Sequence, residues 1–211
     1  GNSDRRVLLS HGWNSKIADF RRMIEKLVEQ GFQVEGIDMK AHGQSDGKHT
    51  ALPEIRDILN SYYVQHGPFE SVIGDSIGGI AAGIMLSELS PDFQPKHFFV
   101  IAAPSYVRYF FHDVIKELGY KDEVYNIMCD MVSERYHQSI DYFDLRIKQP
   151  QLDHINMHFI YDEDDQTVLF DHGKELLNAF PSASFVHTKG LGHYQVIAHP
   201  EVIDYIISQK S

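Results

Sequence analysis

Apolar residues in this chain fall into short, nearly unbroken runs, separated by stretches in which they recur at helical spacing. Val7-Leu8-Leu9-Ser10 is the first run and ends in His11-Gly12-Trp13. Asn14-Ser15 then offers a helix cap, followed by Ile17, Phe20, Met23, Ile24, Leu27 and Val28 on one face, with Gly31 as the stop. A second strand is expected over Phe32–Asp38, leading into a loop of turn formers from Met39 to Gly47. A helix around Leu52–His66 precedes the strand Ser71-Val72-Ile73. A tight turn, Gly74-Asp75-Ser76-Ile77-Gly78, joins that strand to a helix running through Gly79–Leu86. Pro91 and Pro95 mark a loop, and His97–Ala103 is a strand ended by Pro104. Further strands are expected at Ile155–Tyr161 and Ala183–His187, with helices near Asp171–Phe180 and from about Gln195 to Ser208.

Runs apolar along their whole length, alternating with helices, predict an α/β protein. Its sheet is mostly parallel, has about six strands, and carries helices on both faces. One stretch departs from the alternation. Nine aromatic residues lie between Ser105 and Pro150. There Tyr106, Tyr109, Phe110, Val114 and Leu118, and again Val124, Ile127, Met128 and Met131, sit at helical spacing. Two or three short helices forming a cap insertion over 105–150 are expected, inserted into a core made of 1–104 and 151–211.

Composition narrows the function. The 211 residues are 43% hydrophobic and 23% charged, ordinary for a soluble domain with a large core. A net charge of −11 argues against nucleic acid and anionic membrane surfaces as partners. No stretch approaches the roughly 18 apolar residues of a membrane span. A single cysteine, Cys129, excludes an internal disulfide and fits a reducing, cytoplasmic setting. His154 and His158 are four apart but lack the HExxH context, so no metal or cofactor is expected. Gly1-Asn2-Ser3 opens the chain, which leaves an upstream targeting segment an open question.

The turn at Ser76 carries the candidate chemistry. A serine between strand and helix, with glycine two residues away on each side, is the nucleophile-elbow pattern. The hydroxyl stands beside a helix N-terminus, where amides can face a developing oxyanion. A serine needs a base, and His193, in the Gly-rich loop after the last strand, is the choice over His187 and His199. The acidic run Asp162-Glu163-Asp164-Asp165 follows the preceding strand and offers a carboxylate partner. His11, His42 and Asp38 are read as organisers of strand-end loops.

Taken together, these pieces resemble the α/β-hydrolase superfamily, in its monoglyceride-lipase-like and serine-aminopeptidase-like branch. The matching parts are the strand with His11-Gly12, the Asp38…His42-Gly43-Gln44-Ser45 loop, the Gly74–Gly79 elbow, the Asp162–Val168 turn and Gly192-His193, nearly the whole chain. The resemblance implies Asp165 as the acid, three residues before Val168. It also implies the backbone N–H groups of Trp13 and Ile77 as the oxyanion hole. The expected activity is that of a serine esterase or lipase on a small-molecule substrate with an apolar acyl or aryl group. Thioesterase, amidase, aminopeptidase or acyltransferase chemistry on the same residues, or a silent ligand-binding member, are the alternatives. Two departures stand out. Members usually have two antiparallel strands before the first parallel one, so here an edge strand is expected to be exposed. They also usually have histidine where this chain has Asp75, whose side chain is expected to point away from the catalytic face.

Overall fold

The structure, a computed structural model, describes residues 5–209. Six strands form one sheet: β1 (Arg6–Ser10), β2 (Gln33–Gly36), β3 (Ser71–Asp75), β4 (His97–Ile101), β5 (Asn156–Asp162) and β6 (Ser184–Thr188). Their order is β2-β1-β3-β4-β5-β6, and every neighbouring pair is parallel. The expected sheet is therefore present, each strand within a few residues of its predicted place.

The unbroken apolar runs are explained by two buried faces. Leu8, Val72, Phe98, Val100, Phe159 and Tyr161 belong to one core cluster. Their strand neighbours Val7, Leu9, Ile73, Phe99, Ile101 and Ile160 belong to the other. Alternate side chains point to opposite faces, so a sheet covered twice needs apolar residues at nearly every position. The first face is covered by α2 (Leu52–His66) and α3 (Ile77–Ser87). The second is covered by α1 (Arg21–Glu29) and the C-terminal helix, through Met23, Leu27, Val202, Ile203 and Ile206. Edge strand β2 is short and only part-buried. Its Glu35 pairs with Arg6 at 2.6 Å, a charged edge that discourages strand addition.

Between β4 and β5 lie α4 (Val107–Glu117), α5 (Asp122–Tyr136), two short 3-10 turns at Ile140–Phe143 and Leu145–Lys148, and α6 (Gln149–Leu152). Ile140, Phe143, Leu145 and Leu152 are buried in the same cluster as α3. Ser105 Oγ donates to Glu175 Oε2 at 2.6 Å and Arg146 Nη1 donates to the same oxygen at 3.1 Å, tying the segment to α7 (Phe170–Ala179). On α5 the helical-spaced residues Val124, Ile127 and Met131 face outward and are exposed. The side chains of Tyr109, Phe110, Asp113 and Val114 lie outside the described residues.

Two element boundaries differ from expectation. The first helix is not capped by Asn14-Ser15. A 3-10 turn, Ile17–Phe20, comes first, and its amides go to carboxylates: Lys16 N to Asp19 Oδ2 (3.0 Å) and Ile17 N to Asp38 Oδ1 (2.8 Å). The C-terminal helix is split. Residues Gly192–Gln195 form α8, Val196–Ala198 a 3-10 turn, and α9 starts only at Pro200 and runs to Ser208. Proline has no N–H to continue the ladder, and it forces His199 into an extended conformation (φ −74°, ψ 131°).

The strand order reverses direction at β1, since β2 lies on one side of it and β3 on the other. The loops leaving β1 and β3 thus flank the switch point, where ligands bind in open α/β sheets. Close packing there demands glycine. A Cβ at Gly74 would lie 2.5 Å from Gly79 Cα, and one at Gly78 would lie 2.3 Å from the His11 carbonyl oxygen. Gly78→Ala is expected to lower stability in urea unfolding by about 1–3 kcal/mol, because the obstructing atoms are backbone.

Candidate active site

Ser76 is the residue between β3 and α3, with φ 51° and ψ −126°. A non-glycine residue held there stores on the order of 1–3 kcal/mol of strain. The strain is held by Ser76 N donating to Ile101 O at 2.8 Å and by Gly79 N donating to Ser76 O at 2.9 Å. The Ile77 N–H opens α3 and belongs to the first amides of a helix, which have no intrahelical acceptor.

The turn after β1 is fixed from both sides. His11 is fully buried, and its Nε2 accepts the Met39 N–H at 2.9 Å. Nδ1 must then carry the proton, and it donates to the Gly12 carbonyl at 2.8 Å. Burial lowers the His11 pKa, consistent with this neutral tautomer. Because a trans peptide sets C=O and N–H in opposite directions, holding the Gly12 carbonyl also fixes the direction of the Trp13 N–H. His42 Nε2 donates to the Trp13 carbonyl, and Asp38 accepts from Ile17 N and Gln44 N. All three residues are loop organisers, as expected.

The acidic turn after β5 divides its labour. Asp165, buried, places Oδ2 2.8 Å from His193 Nδ1, while its Oδ1 accepts the Thr167 and Val168 amides at 2.8 and 2.9 Å. Asp162 has a role that sequence reasoning missed. Its Oδ2 accepts from Thr188 Oγ1 (2.8 Å) and Leu191 N (3.1 Å), and its Oδ1 from Asp164 N and Gly192 N (both 3.0 Å). It thereby ties the His193 loop to the end of β5. Burial raises the Asp162 pKa, but these four donors outweigh it and leave the carboxyl below its usual range. The signal was present as a second acid at the strand end. His193 itself lies in α8, one turn of helix, where a loop was expected.

Burial alone would push the His193 imidazole down. The hydrogen bond and charge of Asp165, with a further contribution from Asp75, outweigh it and hold His193 above the ordinary histidine value. With Asp165 fully engaged as an acceptor, Nδ1 carries the proton and Nε2 is left as the basic nitrogen. His187 pairs instead with Glu163 at 3.1 Å, and His158 with Tyr205 and His97 at 2.9 and 3.1 Å.

Ser76, His193, Trp13 and Ile77 line one cavity of about 470 Å³. Its walls are mainly apolar, from Trp13, Pro104, Phe111, Tyr194 and Ile197. From the 105–150 segment, Phe111 of α4 reaches it; the outward stripe of α5 does not line it. Asp75 also lines it. The expectation that this side chain points away from the site is corrected here. Asp75 has the parity of Ile73 along β3 and so faces the α1 and α9 side, where Asp19, Ile197 and Ala198 also line the cavity.

Comparison with known proteins fits this arrangement. The model of the family described as serine aminopeptidase, S33, matches residues 1–109, just over half of the chain. The chain belongs to this family of α/β-hydrolases. Solved structures share its fold along nearly the whole length. A lipase-esterase related protein from Clostridium acetobutylicum is 17% identical, with a TM-score of 0.73, 98% of this chain and 95% of that one covered. An esterase from Pyrococcus furiosus is 21% identical, with a TM-score of 0.71 and coverage of 99% and 82%. An esterase from Exiguobacterium antarcticum is 16% identical, with a TM-score of 0.73 and coverage of 98% and 92%. At these identities the likeness is one of fold. No curated protein sequence matches the chain.

Asp162→Ala is expected to cost about 1.5–3 kcal/mol at neutral pH, since it removes a buried charged acceptor and leaves its donors unpaired. Wild type has this contribution above the ordinary carboxyl pKa and loses it as pH falls through the depressed one. Denaturant unfolding of both proteins at pH 7 and pH 3 measures the difference, which should shrink at the lower pH.

Proposed function

We propose that this protein is a serine hydrolase acting on carboxylic esters. The observation that carries the reading is the 2.8 Å pairing of His193 with Asp165 beside the cavity that Ser76 also lines. In the proposed reaction His193 Nε2 takes the Ser76 hydroxyl proton as Oγ attacks the ester carbonyl carbon. The oxyanion that forms is held by the Trp13 and Ile77 N–H groups, each contributing about 3 kcal/mol to lowering the barrier. The tetrahedral intermediate collapses, the alcohol leaves with the proton from His193, and an acyl-enzyme remains. Water then gives a proton to His193 as it attacks the acyl carbon, and on collapse His193 returns that proton to Ser76 Oγ, releasing the acid. Asp165 holds the imidazole tautomer and stabilises the imidazolium. The apolar walls suit an apolar acyl or aryl group, and residues 105–150 act as a small cap that contributes Phe111.

The family's description names aminopeptidases, and the same residues can cleave an amide. An aminoacyl p-nitroanilide therefore belongs beside the esters in the substrate panel.

A fluorophosphonate probe is expected to label the wild type and not Ser76→Ala. A wild type left unlabelled under native conditions would sink the reading. With p-nitrophenyl esters of rising chain length, kcat/KM should rise beyond acetate. A preference for acetate would argue against an apolar acyl site.

The pH profile gives a separate check. The base works only when neutral, so kcat/KM should rise with pH through an ionisation above the ordinary histidine value of about 6.5. Asp165→Asn should move that limb to lower pH and cut kcat by up to about 10⁴-fold, as loss of the orienting carboxylate does in other triads.

A further inference from the structure

Asp19 and Asp75 both line the cavity beside Ser76, and no lysine or arginine lines it. The two carboxylates are not equivalent. Asp19 Oδ2 accepts from Ser15 Oγ at 2.9 Å and from Lys16 N at 3.0 Å, so the turn before α1 uses its charge. Asp75 is 6% exposed, and its Oδ1 is buried with no hydrogen-bond partner among the described residues. Its Oδ2 lies against Gly12, itself part of the cavity wall: a methyl group there would sit 2.8 Å from that oxygen. The charged groups facing Asp75 are His193 from α8, Asp165 from the loop after β5 and Asp19, so two of the three are acids. Burying a carboxylate without a full counter-charge costs free energy, which a bound cation would offset. The rest of the wall favours one kind of cation. Trp13, Phe111 and Tyr194 line the same cavity, and Trp13 and Tyr194 are exposed. Aromatic faces attract cations, and quaternary ammonium groups are the ligands typically held this way. A primary ammonium is more strongly hydrated and loses more on leaving water.

Resting on the serine hydrolase reading, we propose that this site selects esters carrying a quaternary ammonium group, with Asp75 as the counter-charge and Trp13, Phe111 and Tyr194 as the walls around the cation. Asp75 is next in the chain to Ser76, so the ammonium sits a short tether from the reacting carbonyl. Substrates with an anionic group at that place are excluded by the same charge.

The charge state of Asp75 supplies a signature. Burial pushes its carboxyl up to about 7, against the attraction of His193. The carboxyl is therefore neutral in acid and charged in mild alkali, so cation binding should tighten as pH rises through that value. Loss of the His193 proton acts in the same direction. Substitution of Asp75 at a single alkaline pH separates the two.

Trp13 is the only tryptophan of the chain and lines the cavity, so its fluorescence reports binding without any need for turnover. Choline and its uncharged isostere 3,3-dimethyl-1-butanol are titrated at pH 8.5 into wild type and Asp75→Asn. Wild type is expected to bind choline at least about tenfold more tightly than the isostere, and more tightly than ethanolamine. Asp75→Asn should bring choline and the isostere within about threefold of each other. Should that variant lack a cooperative thermal transition, the wild type is read alone between pH 5.5 and 8.5, where choline affinity should rise about tenfold and that of the isostere should stay level. Two kinetic pairs then locate the cation. Butyrylcholine against 3,3-dimethylbutyl butyrate places it on the alcohol. The p-nitrophenyl esters of 4-(trimethylammonio)butyrate and 5,5-dimethylhexanoate place it on the acyl group. In one pair the charged member should lead by at least about tenfold in kcat/KM, and Asp75→Asn should abolish the lead. Equal binding of choline and its isostere by wild type overturns the proposal, as does a choline preference that Asp75→Asn retains or tighter binding of ethanolamine. A wild type that fluorophosphonate never labels overturns the hydrolase reading, whatever choline does. Full labelling with neither charged ester preferred overturns this inference alone.

Discussion

The backbone of β1 and the backbone of α3 meet at the rim of the sheet, and the rest of the structure depends on that contact. Gly78 lies against the carbonyls of Ser10 and His11 with no room for a side chain. The approach brings the end of one strand next to the start of one helix. It therefore brings the turn after β1 and the turn at Ser76 onto one cavity. The parallel order of the strands makes this possible. With β2 on one side of β1 and β3 on the other, the two loops diverge and leave a crevice between them.

The polar groups around the crevice are arranged in two tiers. Ser76 and His193 face the cavity. Behind them stand groups whose hydrogen bonds end on backbone: His11 on Gly12, His42 on Trp13, Asp38 on the turn before α1, and Asp162 on the His193 loop. Loops at a sheet rim have few ladder bonds of their own, so buried side chains satisfy their amides and carbonyls instead. The concentration of histidine and aspartate at strand ends is thus mostly scaffolding.

Much of this was legible in the sequence because the strongest signals are steric and periodic. Runs such as Phe98-Phe99-Val100-Ile101 have to be strands covered on both faces, and the glycines around Ser76 have to bracket a turn too tight for Cβ atoms. His193 and an acidic partner within Asp162–Asp165 followed from chain order and from where loops fall in such a sheet; the choice of Asp165 within that run came from the family resemblance. What escaped depended on three-dimensional placement. Local pattern showed a helix near residue 17 but not that its first amides would go to Asp19 of the same turn and to Asp38, brought in from beyond β2. Spacing put Val124, Ile127 and Met131 on one face without saying that the face is turned to solvent. The alternation of β3 did align Asp75 with Ile73. Only the structure shows that the cavity extends to that side, where Asp19, Ile197 and Ala198 line it.

That split at Pro200 has a wider consequence. The imidazole is suspended from β5 through Asp162 and Asp165, on a helical turn of its own, while α9 begins afresh beyond the break. The terminal helix therefore covers one face of the sheet, through Val202, Ile203 and Ile206, without itself carrying the histidine. Lineages or designers could lengthen, recharge or replace it beyond residue 200 and leave the histidine where the strand holds it.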